Sequence, residues 1–525
     1  MSQPSPAAQP FFKPSTNRRL GALLALLVVL FSYVLIRVPD RLFADDSYFY
    51  LQVAWNFARG KGSTFNTIMP TNGYHPLWML LCSFVFRLIP SRPQAVHAVG
   101  ALIATLNVLT LLVVRRLLRL VADDLWPVAF LLLVAFSFLS QLGTEGALSA
   151  LFLALLMLSA FHFTQTPDPL RAAFLNLSAA LAVLSRLDNI FIVACVWIAV
   201  FVAHPRRDRT SARRLQTVFL LVPGVLCGAY LASNWVGFGT LQPISGLLKS
   251  NSRPDHAFGS NLPHVAILAL LLILLCLPLI AVRRRDLFLR TVEIPFTLGV
   301  LIHAAYILFR MSSETRWSWY YTSWILLSSV LLARAGAILL RDRRQWAVPV
   351  AALCLLLLAA AWYRLSYVKF LLGPDTTPPA SFNRVVFDQA HLRRAFAYDQ
   401  PGALAYYSDI EIVPLDGLMA NLEFQHDLAT KGVAEVARAE HIDSFIGPPS
   451  PMGRRYVHDL CERVFLSTEQ FHCTRRPDGD FDVVAADIYS RVPSQIAGTL
   501  DLDPRNIVWR KTDFIAVWRI SPGAR

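Results

Sequence analysis

Eleven apolar stretches dominate this chain: 20–38, 95–114, 125–141, 144–163, 172–185, 189–203, 215–236, 263–281, 291–309, 320–340 and 345–364. Each is long enough, or nearly so, to cross a bilayer, where about 20 apolar residues suffice for a helix. Inside lipid every backbone N–H and C=O must find its partner within the protein, so a spanning run of this kind reads as a helix. Composition agrees: 55% of the 525 residues are hydrophobic and 16% charged, against roughly 25% charged in a soluble globular protein. The formal net charge is +14, but the arginines cluster in short loops between apolar runs. That pattern serves membrane topology and contact with acidic headgroups. No basic stripe marks a soluble domain, so nucleic acid is not an expected partner.

A twelfth run, Leu77–Ile89, is short, contains Arg87 and is bracketed by Pro76 and Pro90. It reads as interfacial or re-entrant. With this run left out and the N-terminus inside, the basic loops Arg115/Arg116/Arg119, Arg206–Arg214, Arg283–Arg285 and Arg341–Arg344 all fall on the cytoplasmic side, as the positive-inside rule requires. Counting it as a span would put every one of them outside. The expectation is about eleven transmembrane helices in the inner (plasma) membrane. Residues 1–19 form a cytoplasmic tail, 20–365 a membrane module with a first external loop at 39–94, and 366–525 an extracytoplasmic domain. Leu20–Val38 is longer than a signal-peptide core and is read as a retained anchor. The runs 172–185 and 189–203 are short enough to be tilted half-helices. This topology also places the chemically unusual segments on one face, the outer one: Asp45–His75, Gly143-Thr144-Glu145, Ser185–Asn189, Gly239–Lys249 and Ser313–Tyr321.

Asp45 and Asp46 follow the first run directly. Acidic pairs beside lipid are expensive, and side by side they are expected to raise each other's pKa. They either cap a helix starting near Ser47, or serve as a general base and a second acid that orients an acceptor or a metal. Cationic candidates on the outer face are Arg59, Lys61, His75, Arg186, Lys249 and Arg316. Lys249 stands out because it ends the Gly/Pro-marked loop GTLQPISGLLK; Arg316 follows, inside SSETRWSWYY. Glu145 is a buried structural acid or a ligand for hydroxyls. Arg186 and Asp188 break an apolar stretch and either pair with each other or face a substrate. Asn72, Trp55, Trp317, Trp319, Tyr320 and Tyr321 either stack on a sugar or belong to an interfacial aromatic belt. The sequon Asn176-Leu177-Ser178 lies within an apolar run. There is no P-loop and no Rossmann glycine pattern, so neither a nucleotide sugar nor ATP is expected as donor.

Past residue 365 the apolar runs shorten. Asn383–Tyr398 has helical spacing, and Ala403–Ser408, Ile410–Leu415, Ile442–Ile446, Asn506–Arg510 and Phe514–Ile520 read as strands of a small α/β domain. Cys461 and Cys473 leave a disulfide open if that domain is outside the cytoplasm.

The stretch DDSYFYLQVAWNFARGKG…TNGYHPLW (45–78) resembles the first external loop of the glycosyltransferase C (GT-C) superfamily, which includes lipid A aminoarabinose transferases and protein O-mannosyltransferases. GTEGALSALFLALL (143–156), LAVLSRLDNIF (181–191), NWVGFGTLQPISGLLKS (234–250), WSWYY (317–321) and ALAYYSDIEIVPLDGL (403–418) are similar to segments of bacterial members, in the same order along the chain. The resemblance implies a polyprenyl-phosphate sugar as donor, with Asp45 as catalytic base and Asp46 as second acid. A departing carrier phosphate gains charge and needs cations, for which His75, Lys249 and Arg316 are the candidates, while Asn72, Glu145, Arg186, Asp188, Tyr320 and Tyr321 are the candidates for the sugar or acceptor. In aminoarabinose transferases a Glu-Lys precedes Pro-Pro-Leu at the end of this loop. Here the stretch is Gly73-Tyr74-His75-Pro76-Leu77, so the lysine is absent and His75 stands nearest.

These readings combine into a polytopic α-helical GT-C glycosyltransferase with a C-terminal α/β domain. It moves a sugar from a lipid carrier to a hydroxyl on a cell-envelope glycan, lipid or protein, with inversion. No cofactor is required; the acid pair leaves room for a divalent metal at Asp45 and Asp46. The rival is a transporter or lipid-linked-sugar flippase, which should show matched repeats in two halves; none is visible.

Overall fold

The computed structural model describes residues 14–121, 143–203, 209–251, 258–281, 286–311 and 318–339. Of the C-terminal part it describes 393–397, 401–408, 410–415, 417–431, 435–436, 439–442, 444–447, 473–475, 481–483, 488–489 and 516–519. Nine of the eleven apolar runs lie in helices; 125–141 and 345–364 fall outside the described residues. Among the described residues, five helical segments are long and apolar enough to cross a membrane: Arg92–Val121, Gly146–Gln165, Arg213–Phe238, Leu289–Arg310 and Trp319–Leu339. Shorter apolar helices include Leu24–Arg37, Pro76–Leu88, Pro169–Ser185, Leu187–Ala203 and His264–Ile280.

In chain order the helices of the N-terminal two thirds are α1 (Pro14–Arg37), α2 (Pro39–Leu42), α3 (Asp45–Ala58), α4 (Pro76–Leu88), α5 (Arg92–Val121), α6 (Gly146–Gln165) and α7 (Pro169–Ser185). They continue with α8 (Ile190–Ala203), α9 (Arg209–Phe219), α10 (Leu221–Phe238), α11 (Ile244–Asn251), α12 (Phe258–Ala281), α13 (Ile294–Arg310) and α14 (Thr322–Leu339). Local chemistry sets several boundaries. Pro169 opens α7 where a missing N–H costs nothing, and Asp168 caps it by accepting from the Arg171 N–H at 2.9 Å. Gly239, at φ 70°, closes α10 in the left-handed conformation that glycine adopts without penalty. Asp45 and Asp46 are not caps. The N-cap of α3 is Ala44, and the two acids occupy the first turn, where their charge favours the helix dipole.

Helices α5 to α8, α13 and α14 share one buried core built on Leu153, Met157, Phe163, Phe296, Trp324 and Leu327. A second core gathers α3, α4 and α5 around Phe49, Phe65, Trp78 and Phe86, and it continues into the C-terminal part through Ala395, Tyr406, Ile412 and Met419. The first loop and the C-terminal unit therefore bury their apolar side chains against each other.

That unit carries β1 (Arg394–Ala397), α15 (Pro401–Tyr407), β2 (Glu411–Pro414), α16 (Leu422–Thr430), β3 (Ser444–Gly447), β4 (Cys473–Arg475), β5 (Phe481–Val483), β6 (Ile488–Tyr489) and β7 (Ala516–Arg519). A five-stranded sheet runs in the order β2-β1-β3-β7-β6. Strands β2, β1 and β3 are parallel, whereas β7 pairs antiparallel with both β3 and β6. Strands β4 and β5 form a separate antiparallel pair. Two expectations are corrected. Residues 394–397, read as helix, form a strand of the parallel sheet, and 403–407, read as strand, belong to α15. Both are short apolar stretches, and periodicity alone does not separate a buried strand from a buried helical turn. The strands expected at Ile410–Leu415, Ile442–Ile446 and Phe514–Ile520 are present as β2, β3 and β7. Asn506–Arg510 and Cys461 lie outside the described residues.

Candidate active site

The segments singled out from the sequence meet in one cavity of about 240 Å³. Its walls come from the first turn of α3, the stretch through Gly73 and His75, Thr144 and Glu145 ahead of α6, the break 186–188 between α7 and α8, Gln242 to Lys249, Trp319 and Tyr320, and Leu418 with Met419. The break exists because the 3-10 turn Leu187–Asn189 separates two helices that Ser185 and Asn189 hold together. The Ser185 hydroxyl donates to the Ala182 carbonyl, and the Asn189 amide donates to both the Ser149 hydroxyl and the Ala182 carbonyl.

Asp46 faces Lys249 across this cavity, with Oδ2 and Nζ 3.6 Å apart. Burial raises the Asp46 pKa and Glu145 adds to that, while Lys249 works against it. Burial alone would lower the pKa of Lys249, but Tyr320, Asp46 and Glu145 outweigh it and hold the ammonium above its ordinary range. Asp45, the neighbouring acid, has other partners than Asp46. Their side chains diverge: Asp45 accepts from the Gly402 N–H through Oδ2 at 3.0 Å and from the Ala403 N–H through Oδ1 at 2.8 Å. Asp45 holds the start of α15 and does not line the cavity.

A second charged group lies deeper. Arg186 is 3% exposed and reaches Glu145 Oε1 at 2.6 Å and Asp188 Oδ2 at 2.9 Å. The ring of Tyr320 lies 4.1 Å from the Arg186 guanidinium carbon and 5.9 Å from Lys249 Nζ. His303 Nε2 sits 2.9 Å from Asp188 Oδ2. A buried arginine between two carboxylates is locked in place, because losing either partner would leave charge uncompensated.

His75 is no substitute for a lysine. Its Nδ1 accepts the Leu187 backbone N–H at 3.3 Å, which leaves the single ring proton on Nε2, 3.8 Å from Glu145. Burial lowers its pKa, the Glu145 charge raising it less than burial depresses it. His75 is thus a neutral donor at the cavity wall. Asn72 is likewise engaged structurally. Its Oδ1 accepts from the Ile244 N–H at 3.0 Å and its Nδ2 donates to the Gln242 carbonyl at 3.3 Å, fastening the start of α11 to the first loop. Tyr321 points elsewhere: its hydroxyl is 2.5 Å from His264 Nε2 and its ring packs on Trp324. Arg59 lies over Trp55, outside the cavity, and Lys61 is exposed. Arg316 and Trp317 lie outside the described residues. Among the described residues no three His, Cys, Asp or Glu side chains converge as a metal site.

Several residues of the site went unread in the sequence. Tyr50, which lines the cavity with its hydroxyl against Glu145, was not singled out within the stretch 45–78. His303 is a lone imidazole inside an apolar run, and such residues read as core. Leu418 and Met419 were placed in a separate domain, and nothing in their identity points to a cavity.

No protein-family profile matches the sequence, and neither does any curated protein. Solved structures do match. ArnT from Cupriavidus metallidurans bound to undecaprenyl phosphate aligns over 95% of this chain and 99% of its own, with TM-score 0.53 and 14% identity. The Archaeoglobus fulgidus oligosaccharyltransferase, tethered to an acceptor peptide containing the NVT sequon, aligns over 90% of this chain and 74% of its own, with TM-score 0.54 and 12% identity. The chain therefore shares its fold with ArnT and with the archaeal oligosaccharyltransferase.

Proposed function

We propose that the protein is a membrane glycosyltransferase that takes a sugar from a polyprenyl-phosphate carrier and transfers it to a hydroxyl of a cell-envelope acceptor on the extracytoplasmic face. The observation that carries this reading is the pairing of Asp46 with Lys249, contributed by segments two hundred residues apart and meeting in the cavity. The outer-face assignment rests on the distribution of basic loops. The polyprenyl donor rests on the fold shared with a protein that binds undecaprenyl phosphate.

In this reading Asp46, rather than Asp45, is the base. Its carboxylate takes the proton of the acceptor hydroxyl as that oxygen bonds to the anomeric carbon. The bond from that carbon to the phosphate oxygen breaks, and the carrier leaves with the electron pair. One displacement inverts the anomeric centre. Negative charge moves from Asp46 to the departing phosphate, which approaches a second charge as the diester becomes a monoester. Lys249 sits where it can follow that charge, favouring the transition state over the bound substrate. Burial of Asp46 suits a base working near neutral pH, since a raised pKa brings proton affinity closer to the task. Arg186, held by Glu145 and Asp188, stiffens the cavity floor and orients Tyr320 against the sugar.

The test is to delete the gene in its host, profile envelope glycans by mass spectrometry, and complement with wild type or with Asp46→Asn. Wild type should restore a missing sugar and Asp46→Asn should not, although the variant inserts normally. Restoration by Asp46→Asn would remove Asp46 as the base, and an unchanged glycan profile in the deletion strain would remove the transferase reading.

A further inference from the structure

We propose that Asp45 is a positioning residue that seats the C-terminal unit over the cavity, so that Leu418 and Met419 form the wall against which the acceptor is held. This rests on the transferase reading above.

The seam between the first loop and the C-terminal unit is built closely along its length. At one end the two oxygens of Asp45 take the Gly402 and Ala403 N–H groups. A Cβ added to Gly402 would fall 2.4 Å from the Asp45 carbonyl oxygen, so the two backbones approach as only glycine allows. At the other end a Cβ on Gly73 would fall 2.0 Å from the Leu418 carbonyl oxygen. Between them Arg92 Nη1 donates to the Ser408 carbonyl at 3.2 Å, the Tyr406 hydroxyl donates to the Arg92 carbonyl at 3.0 Å, and Tyr406 itself is fully buried. Thr67, at the tip of the first loop, adopts φ 62°, rare for a β-branched residue, and its hydroxyl donates to Glu411 Oε1 at 2.6 Å.

The turn that carries the wall is equally fixed. Gly417 lies at φ 71° with the Gln425 side chain where a Cβ would go, its N–H bonds to the Pro414 carbonyl, and the Ala420 N–H bonds back to Gly417. This turn brings Leu418 and Met419 to the wall of the cavity beside Gly73, a cavity that Asp46 also lines. The lipid carrier enters from the membrane and its phosphate is drawn to Lys249. The acceptor is held on the side of the cavity that the C-terminal unit lines through Leu418 and Met419. Its apolar character fits an acceptor that presents a C–H-rich face, such as a saccharide ring face or a lipid segment, beside its nucleophilic hydroxyl. Asp45 acts on catalysis only through this placement.

The full chain in nanodiscs would be assayed with two probes. The donor is the polyprenyl-phosphate lipid fraction of the deletion strain labelled with carbon-14 sugar, and the acceptor is washed membranes of that strain, each titrated at saturating levels of the other. Asp45→Asn keeps one acceptor oxygen but loses the charge, and it should raise the half-saturating acceptor level about tenfold, the loss expected for a charge-assisted hydrogen bond. The half-saturating donor level should stay within about twofold and much of the maximal rate should survive. Gly73→Ala, which pushes the Leu418 turn away without touching Asp45, should give the same split and guards against misfolding of the first variant. The inference is overturned if Asp45→Asn is silent at every acceptor level while Gly73→Ala is unaffected, since Asp45 would then be the base. It is equally overturned if both variants behave as wild type, or if donor and acceptor saturation shift together. A wild-type protein that transfers no label overturns the transferase reading itself, and this inference falls with it.

Discussion

Replacing Lys249 by Met keeps the length of the side chain and removes its charge, and the consequence for Asp46 can be worked out with its sign. The pair lies outside the helices read as spans, at 3.6 Å, with the Lys249 and Asp46 side chains 13% and 24% exposed. At an effective dielectric of about 20, a unit charge at that distance contributes about 4–5 kcal/mol of attraction, an upper figure before solvent screening. Asp46 already sits above the ordinary carboxylate range because burial and Glu145 raise it, and Lys249 is the group that pulls it back. Without Lys249 the carboxyl keeps its proton to higher pH, and at neutral pH a smaller fraction can act as base. The acid limb of the pH–rate profile for sugar transfer should therefore move to higher pH, and alkaline buffer should recover part of the lost rate. The half-saturating donor level should rise as well, because the carrier phosphate loses its cation. An acid limb that stays in place, or moves to lower pH, would show that Lys249 does not govern the Asp46 charge and would refute the pairing as the core of the site.

Other outcomes follow from the same geometry. Asp46→Asn should lower the transfer rate by about 10²–10⁴ at saturating donor and acceptor, the usual contribution of a positioned general base, with thermal stability nearly unchanged. Asn72→Ala strands the Ile244 N–H and frees α11; it should cost about 1–3 kcal/mol in the melting of the detergent-solubilised protein and weaken donor saturation. Tyr321→Phe removes only the hydroxyl that meets His264, so transfer should remain within about twofold of wild type, whereas Tyr320→Leu, which strips the ring between Arg186 and Lys249, should reduce it well beyond that. Asp168→Ala, outside the cavity, should lower stability by about 1 kcal/mol through loss of the α7 cap without altering saturation by either substrate.

The apolar runs made the helices legible, because length and hydropathy in a membrane leave few alternatives. The breaks between those runs also showed where the polar cavity would form. Glu145, Arg186, Asp188, Lys249 and Tyr320 were all found as chemistry-bearing residues at run boundaries, and the fold brings them together. What the sequence does not encode locally is direction. Asp45 and Asp46 are neighbours of the same type, and only the rotation of about 100° between consecutive helix positions sends one to α15 and the other to the cavity. His75 looked cationic until the Leu187 N–H fixed its tautomer. The identities of β1 and α15 were exchanged because both are short buried stretches whose conformation is decided by the sheet and the seam they join, not by their own residues.

The continuous apolar packing between the first loop and the C-terminal unit has a practical corollary. Tyr48 and Phe86 are covered in part by Tyr406 and Tyr407. Cutting the chain after the last helix of the bundle would lay those rings open to water on one fragment and strip the sheet of its footing on the other. The two pieces should therefore not express as independent, well-behaved proteins. In the intact chain the two should melt in one shared transition, and dissecting this protein by truncation will report on collapse more than on the duties of either half.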